Sequence, residues 1–535
     1  MESWYAWLVA APPLLFLGTG MIPSRWANRH VGVMRRWVVW LAAGCLGLSA
    51  AAAGMLVRHG VLDVALLQWT WPLPLNLGVY FDSLAAVMLL LINFIGLIIA
   101  RYSVRYLDGE AAQGRFLRWM AFTLGAVLLL VVARNLVLLT VAWMLTSLGL
   151  HQLLTHYADR PWAVWAARKK FLVSRLGDLL LVAALALTFY CFGSFDYVDV
   201  FAAARTLQEG ASSAGPAVAL IGVLYALGAM TKSAQVPFHS WLPDTMETPT
   251  PVSALMHAGI INAGGFLVLR LSPLVSLSSL ALDSLALVGV LTALFGSLVM
   301  LTQTSVKRAL AFSTISQMGF MMLQCGLGAF SAALLHIVAH SVYKAHAFLS
   351  SGSVLESAAR LKTPCGPPVL GPRGLAALPV ALAAAVGLAV SAGWVLGIDL
   401  AAKPGATILG LILVIALTQL LWQALAAGTW RLAMQGIAGG LLVSGGYCGA
   451  YLLVDRLFVT SVSHQITAPS PLHGLVLATV AIGFLGVFAL QAVAGAFSRS
   501  PVLQALYVHA AHGFYLDIPA RRLTARVWGR PSPVP

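Results

Sequence analysis

The sequence predicts an all-α, polytopic membrane protein with about 15 (roughly 13 to 16) transmembrane helices. Three observations support this fold class. Hydrophobic residues make up 60% of the 535 residues and charged residues only 9%. The mean hydropathy of +0.88 is more than a soluble domain buries in one core. Apolar stretches of about 20 residues, long enough to cross ~30 Å of hydrocarbon, recur along the chain.

The predicted spans follow one another with short connections. With errors of a few residues at each end, they are 4–21, 37–57, 80–100, 117–133, 136–155, 171–192, 217–234, 252–271, 280–302, 308–328, 330–353, 375–397, 407–427, 436–454 and 473–496. Two longer connections, at 58–79 and 193–216, are predicted to form short caps outside the membrane.

Basic residues alternate from loop to loop, which predicts the topology. Most of the 32 lysines and arginines, among them Lys169 and Lys170, fall in loops of one side, whereas Arg270 falls in a loop of the other. The N-terminus is therefore predicted to lie outside and the C-terminus in the cytoplasm. This asymmetry accounts for the net charge of +15, so no nucleic-acid partner is inferred. The five cysteines show no zinc or disulfide spacing, and no metal or cofactor is expected in the chain.

Composition divides the chain into five regions. Segment 361–374 is dense in proline and glycine and is predicted to be a cytoplasmic linker. It separates a motif-rich core at 111–360 from plainer transmembrane helices at 375–497. Residues 1–110 supply the N-terminal transmembrane helices. The tail at 498–535 is amphipathic and basic, and is predicted to lie on the membrane or on a partner at the cytoplasmic side.

An ionisable group in hydrocarbon costs several kcal/mol, so each one within a span is a functional candidate. Lys232 ends an apolar run, and the prolines that follow it must interrupt the helix. Interrupted helices at membrane depth line cavities or are buried in protein. His257 begins the next span and is predicted to take a proton onward. A lysine that snorkels to the surface and a packed, neutral histidine are the alternatives.

A second group lies at helical spacing in a later span. His336, His340 and Lys344 are four residues apart and share one helical face over about 12 Å. That length suits two hydrogen-bonded proton transfers through intervening water. Lys307 either joins this path or anchors the start of its span beside Arg308.

Buried acids are needed to stabilise a buried lysine, because an opposite charge nearby favours its charged form. Asp178 lies inside a span, with Arg175 as its alternative partner. Asp82 begins another span, and there an N-cap role is at least as well supported.

Two segments carry a family resemblance: TKSAQVPFHSWLPDTMETPTPVSALMHAG and QTSVKRALAFSTISQMGFMML, the latter followed by LLHIVAHSVYKAHAFLSSGSV. They resemble the antiporter-like subunits of respiratory complex I and of Mrp-type cation/proton antiporters, over about residues 75–360. The resemblance implies two inverted five-helix repeats, each with a broken helix. It also implies Lys232 and Lys344 as principal proton carriers. The linking or tuning residues would be His257, Lys307, His336, His340 and Asp178.

The chain departs from the family pattern at two places. Met144 stands where the family usually has a glutamate paired with the broken-helix lysine, and Asp178 and Glu247 are the candidates to compensate. The second repeat retains Asp399 without the expected lysine–aspartate pair.

The early end of the chain and its YVHAAHGFYLD segment look like the membrane subunit of the DAB inorganic-carbon accumulation complex. This implies a transporter subunit, not an enzyme, in a bacterial inner membrane. Proton or sodium entry would energise a large cytoplasmic, zinc-binding, carbonic-anhydrase-like partner, and the zinc would belong to that partner. The tail and the basic loops would be the docking surface. The alternatives are a pump subunit of complex I or Mrp type and a non-conducting membrane anchor.

Overall fold

The fold is a helical bundle, given by a computed structural model that describes residues 2–69, 75–209, 215–353, 372–395, 404–458, 461–462, 473–494 and 499–529. Among these residues, eleven helices are long and apolar enough to cross a membrane, and the shorter helix Pro216–Lys232 is also apolar. The predicted fold class, an all-α polytopic membrane protein, is confirmed.

The first part of the chain forms nine helices and one hairpin within the described residues. They are α1 (Glu2–Gly20), α2 (Ser24–Arg29), α3 (Val31–His59), β1 (Leu62–Trp69), β2 (Leu75–Phe81), α4 (Ser83–Tyr106), α5 (Gln113–Val132), α6 (Leu136–Leu154), α7 (Pro161–Phe192), α8 (Tyr197–Glu209) and α9 (Pro216–Lys232). The two connections predicted as caps contain the antiparallel β1–β2 hairpin and helix α8.

The second part begins with short 3-10 turns and continues as helices. The turns are Phe238–Trp241, Pro243–Glu247 and Ile260–Asn262, and the helices are α10 (Thr250–Ala258), α11 (Ala263–Arg270), α12 (Ser272–Val275), α13 (Ser279–Met300), α14 (Val306–Gly326), α15 (Phe330–Leu349), α16 (Pro372–Val395), α17 (Pro404–Ala426), α18 (Trp430–Leu457), α19 (His473–Ala494), α20 (Pro501–Ala511) and α21 (Ile518–Trp528).

Each of the fifteen predicted spans overlaps a helix, but length and composition alone select eleven. Helices α14 and α15 are outside those eleven because they carry polar side chains that face the protein interior. The number of membrane crossings and the inverted repeats therefore stay predictions. Most of the predicted linker and Asp399 lie outside the described residues.

Helices α13 and α14 approach each other closely through glycines. A side chain at Gly289 of α13 would meet the backbone of Leu323, and one at Gly319 of α14 would meet the backbone of Ala293. Small residues at such contacts let helix backbones pack closely in membranes. This contact holds α14, which carries much of the candidate site.

A buried ion pair joins the start of α4 to the end of α11. Arg270 lies 2.7 and 3.0 Å from the two carboxylate oxygens of Asp82, and both side chains are only 2% exposed. Asp82 also caps α4 by accepting a hydrogen bond from the Ala85 amide. The N-cap role weighed for Asp82 is therefore present, and the buried cation that this carboxylate faces is Arg270 instead of a lysine. The prediction that Arg270 lies in a loop is wrong, since a charge at a span end can be buried when a carboxylate faces it.

Replacing Arg270 with methionine is expected to destabilise the protein by about 3–5 kcal/mol, because the Asp82 carboxylate would stay buried without its counter-ion. Thermal unfolding of the purified protein in detergent measures this effect. The Asp82→Asn/Arg270→Met double variant should recover most of the loss. Equal melting of the single variant and the wild type would contradict a stabilising pair.

The C-terminal segment (499–529) folds back against the ends of the bundle. Trp528 packs edge-on against Phe171 of α7 at 6.1 Å, and Arg168 lies over the Trp528 ring. Gln303, just after α13, donates a hydrogen bond to the Ala511 carbonyl. The described part of the predicted amphipathic tail is thus mostly helical, and it contacts α7.

Candidate functional site

Lys232 lies at the last residue of α9, where the helix breaks. Its side chain is 8% exposed, and its amine donates hydrogen bonds to the Trp143 carbonyl, 2.9 Å away, and to the Thr146 hydroxyl. The amine also lies 3.8 Å from the centre of the Trp143 ring. The chain then departs from helical geometry, with Ala234 at φ 48° followed by two 3-10 turns. The interruption predicted after Lys232 is present, and the lysine is buried instead of snorkelling.

Helix α6 gives the Lys232 amine neutral hydrogen-bond acceptors at the place where the resemblance implies a glutamate. Met144 lies between Trp143 and Thr146, the two residues whose oxygen atoms accept from the lysine amine. A carbonyl, a hydroxyl and an aromatic face thus surround the amine. Glu247 does not compensate: it is about half exposed and lies 3.5 Å from Arg160.

A second buried lysine lies nearby on α7. Lys170 is 4% exposed and donates a hydrogen bond to the Ser147 carbonyl at 2.8 Å. Asp178, two turns further along α7, is buried and close enough to interact electrostatically with Lys170 and Lys232. Asp178 also forms a 2.6 Å ion pair with the half-exposed Arg175.

The assignment of Lys169 and Lys170 to a loop was wrong, because α7 begins ten residues before the predicted span. Lys169 is buried and pairs with Asp244 in a 3-10 turn. Pro161 at the first turn was the available signal for an early helix start. With that start, Lys170 and Asp178 fall on one helical face.

His340 and Lys344 of the second predicted group, together with His257, which was predicted to act after Lys232, contact one helical face of α14. This face is formed by Leu310, Ser313, Thr314 and Gln317 and is here called the α14 face. The Lys344 amine donates to the Ser313 hydroxyl at 2.7 Å and to the Leu310 carbonyl at 3.5 Å. The other contacts are His257 Nδ1 with the Thr314 hydroxyl at 3.0 Å and His340 Nδ1 with Gln317 Oε1 at 2.6 Å. One helix therefore positions all three ionisable groups.

His257 and His340 also contact each other through the backbone. His340 Nε2 lies 3.1 Å from the carbonyl oxygen of His257. His257 is fully buried and stacks on Phe348 at 4.2 Å between ring centres. A break at Ile260–Asn262, which the sequence analysis did not predict, follows His257 closely.

The other two predicted members are less tightly placed. The His336 ring stacks with the His340 ring at 5.9 Å between centres. Lys307 is half-buried in the first turn of α14, three residues before Leu310. The structure thus brings Lys232, Asp178 and Lys170 together in one cluster, and His257, His340, His336 and Lys344 in another.

Several buried side-chain polar atoms along the chain from Lys232 to Asn262 have no protein hydrogen-bond partner. Among the described residues they include Gln235 Oε1, Ser253 Oγ, His257 Nε2 and Asn262 Oδ1. Ordered water satisfies such atoms in proteins. The stretch from Lys232 to His257 can therefore hold a water-mediated proton connection.

A cavity of about 1050 Å³ opens near the 3-10 turns and the C-terminal segment. Its lining includes Arg308, Arg521, Arg522 and Arg526 and is here called the arginine cavity. The acids of its wall are already paired, Asp244 with Lys169 and Glu247 with Arg160. Arg521 is paired with Asp517, whereas Arg308, Arg522 and Arg526 have no acidic partner among the described residues. These three cations would favour an anionic ligand or an acidic surface.

The chain matches two protein families. Residues 133–364 match the transmembrane family described as NADH:quinone oxidoreductase/Mrp antiporter. Residues 70–117 match the N-terminus of chain 5 of NADH-ubiquinone oxidoreductase, complex I. Together these matches include Lys232, Asp178 and the α14 face.

Related proteins extend the similarity, one of them over nearly the full length of the chain. The chain is 38% identical to the probable inorganic carbon transporter subunit DabB2 of Halothiobacillus neapolitanus, covering 97% of this chain and 94% of that protein. It is 39% identical to the probable inorganic carbon transporter subunit DabB of Hydrogenovibrio crunogenus over 65% of this chain and 64% of that protein. It is also 38% identical to NADH-quinone oxidoreductase subunit L of Mycobacterium tuberculosis, over 66% of this chain and 56% of that protein.

Solved structures share the fold. The Mrp complex from Dietzia sp. DQ12-45-1b aligns with a TM-score of 0.58 at 26% identity, covering 98% of this chain and 58% of that one. An archaeal membrane-bound sulfane sulfur reductase aligns at 0.57 and 18% identity, which shows the fold alone. From its full-length similarity and family matches, the chain belongs to the antiporter-like membrane subunits of the NADH:quinone oxidoreductase/Mrp type.

Proposed function

We propose that this chain conducts protons or sodium ions inward and so energises inorganic-carbon uptake by a large cytoplasmic, zinc-binding, carbonic-anhydrase-like partner. The observation that carries the proposal is the attachment of His257, His340 and Lys344 to the α14 face inside a membrane bundle. Buried ionisable groups are costly in a membrane, and proton relays are a main reason for retaining them. The chain itself holds and moves the charge, and the partner performs the chemistry.

The two clusters suggest a path. Lys232 exchanges a proton at Nζ with water in the polar stretch that follows α9, and Asp178 balances its charge. His257 exchanges at Nε2, the ring atom that has no protein partner. His340, His336 and Lys344 continue along α15, and Lys307 lies near the end of this path.

Full-length similarity to proteins named as probable inorganic carbon transporter subunits supports carbon uptake over the alternatives. The second candidate, a pump subunit of complex I or Mrp type, is supported by the similarity to subunit L and to the Mrp complex. The third candidate, a non-conducting anchor, is favoured by Met144, because this residue stands where the resemblance implies a glutamate partner for Lys232. The α6 oxygens that bind Lys232 weaken that support, because they hold the amine without a glutamate.

Co-purification from the native membrane tests this function. The tagged full-length chain should bring down one large zinc-binding protein, identified by mass, and uptake of labelled bicarbonate by these cells should collapse on adding a protonophore. Quinone-reductase subunits in place of that protein would support the second candidate. Uptake that persists with the protonophore would exclude protons as the coupling ion, and uptake that persists with a sodium ionophore as well would contradict ion-driven transport.

The arginine cavity is the proposed docking surface for an acidic face of the partner. Replacing both Arg522 and Arg526 with glutamate should lower recovery of the partner by about tenfold or more, because like charges would then meet across the interface. Arg25→Glu is the matched control, since Arg25 is exposed and belongs to α2, away from this cavity. Equal recovery with the double variant would exclude this surface.

A further inference from the structure

We propose that Gln317 is a positioning residue for proton exchange at His340: the His257 carbonyl keeps a proton on Nε2, and Gln317 reverses its side-chain amide to stabilise both the protonated and the unprotonated state of Nδ1. The inference deepens the proposed function and rests on it. It is drawn from hydrogen-bond donors and acceptors around His340 and His257. Both histidines and Thr314 are buried, and Gln317 is partly buried.

The first step concerns Nε2 of His340. This atom lies 3.1 Å from the carbonyl oxygen of His257, which can only accept a hydrogen bond. Nε2 must therefore carry a proton to make this contact. Loss of that proton would leave two buried acceptors facing each other, which costs the desolvation of both.

The second step concerns Nδ1 of His340. With Nε2 protonated, a neutral ring has a lone pair at Nδ1, and a charged ring has an N–H there. Gln317 offers an oxygen to the charged ring, as in the contact at 2.6 Å, or an NH2 group to the neutral ring after a half-turn of its amide. A glutamine can satisfy both states, whereas a carboxylate or an apolar side chain can satisfy at most one.

His257 is held in the opposite tautomer by the same helix. The Thr314 hydroxyl donates its proton to the Leu310 carbonyl at 3.0 Å, so it accepts from His257 Nδ1. The neutral His257 ring then has its lone pair at Nε2, the atom without a protein partner. Thr314 thus selects Nε2 as the exchanging atom of His257, and the His257 carbonyl selects Nδ1 as that of His340, where Gln317 faces it.

Three titratable groups face His340 in the described structure. His336 and Lys344 lie on its own helix, and His257 faces it from α10. Charge on any of them changes how readily the His340 ring binds a proton, but not which atom binds it. The fixed His257 carbonyl and the reversible Gln317 amide determine which ring atom exchanges the proton.

Nitrogen-15 NMR of histidine-labelled, full-length protein in lipid tests the choice of atom directly. The chain has 13 histidines, so His340→Asn identifies the His340 signals by difference. As the pH is raised, Nδ1 of His340 should change from protonated to unprotonated while Nε2 stays protonated. Loss of the Nε2 proton first would overturn the inference.

Proton flux in vesicles containing the full complex tests the role of the amide. Gln317→Glu is nearly the same shape, but its carboxylate holds the charged ring; flux should fall about tenfold and its pH profile should move to higher pH. Gln317→Leu should reduce flux without that displacement. Gln324→Leu, the same change two turns along α14, should leave the proton flux and its pH profile unchanged. A Gln317→Glu profile like that of the wild type would contradict the proposal.

These outcomes are separable from the proposed function. The NMR titration identifies the histidine tautomers whether or not the chain transports ions. A chain that conducts nothing but shows the expected tautomers would refute ion conduction alone. A conducting chain in which Nε2 titrates would refute the Gln317 inference alone.

Discussion

Replacing Lys232 with methionine is expected to reduce proton flux and carbon uptake by about 100-fold or more, the range typical of losing a positioned proton carrier. Methionine is similar in length and apolar, so it fills the space beside Trp143 without a charge. Protein abundance should be unchanged, because no acid contacts the Lys232 amine among the described residues and Asp178 keeps its ion pair with Arg175. Flux into vesicles and growth at ambient CO2 measure the effect.

Arg205→Met is the control for this experiment, since it removes an exposed cation from α8. Flux and growth should then match the wild type. If Lys232→Met were expressed normally and still supported uptake, conduction through the first cluster would be excluded and the anchor hypothesis would gain.

Replacing Lys344 with methionine is expected to cause a loss of similar size, about 100-fold, because the proposed path along α15 ends at this amine. The Lys344 side chain is fully buried, and its donors go only to neutral oxygens of the α14 face. The variant should therefore remain folded. The same flux assay at fixed pH measures it.

His346→Asn is the matched control, because His346 lies two residues away on α15 but is exposed. It should keep wild-type flux. If Lys344→Met also kept wild-type flux while Lys232→Met did not, the second cluster would have no part in transport.

Local sequence rules predicted the parts of the site that depend on spacing. The prolines after Lys232 determine where α9 ends, and the four-residue spacing determines that His340 and Lys344 share a face of α15. Both are properties of a few consecutive residues and elementary helix geometry.

Tertiary contacts determined the rest. Ser313, Thr314 and Gln317 are ordinary polar residues of a helix, and only the packing of α14 against α10 and α15 gives them partners. Arg270 and Lys170 were assigned to loops because a charge at the edge of an apolar run looks like a boundary. Their burial depends on Asp82 and on the Ser147 carbonyl, which are distant in sequence.

Helix α14 is the shared hydrogen-bond partner of three ionisable side chains that belong to α10 and α15. It therefore cannot move without disturbing all three contacts. A slide of α14 by one residue, ~1.5 Å, would offset the partners of Lys344, His257 and His340 at the same moment. The close glycine contact with α13 resists such a slide. A shift of α13 and α14 would therefore change all three contacts together, so the whole proposed proton path would respond at once.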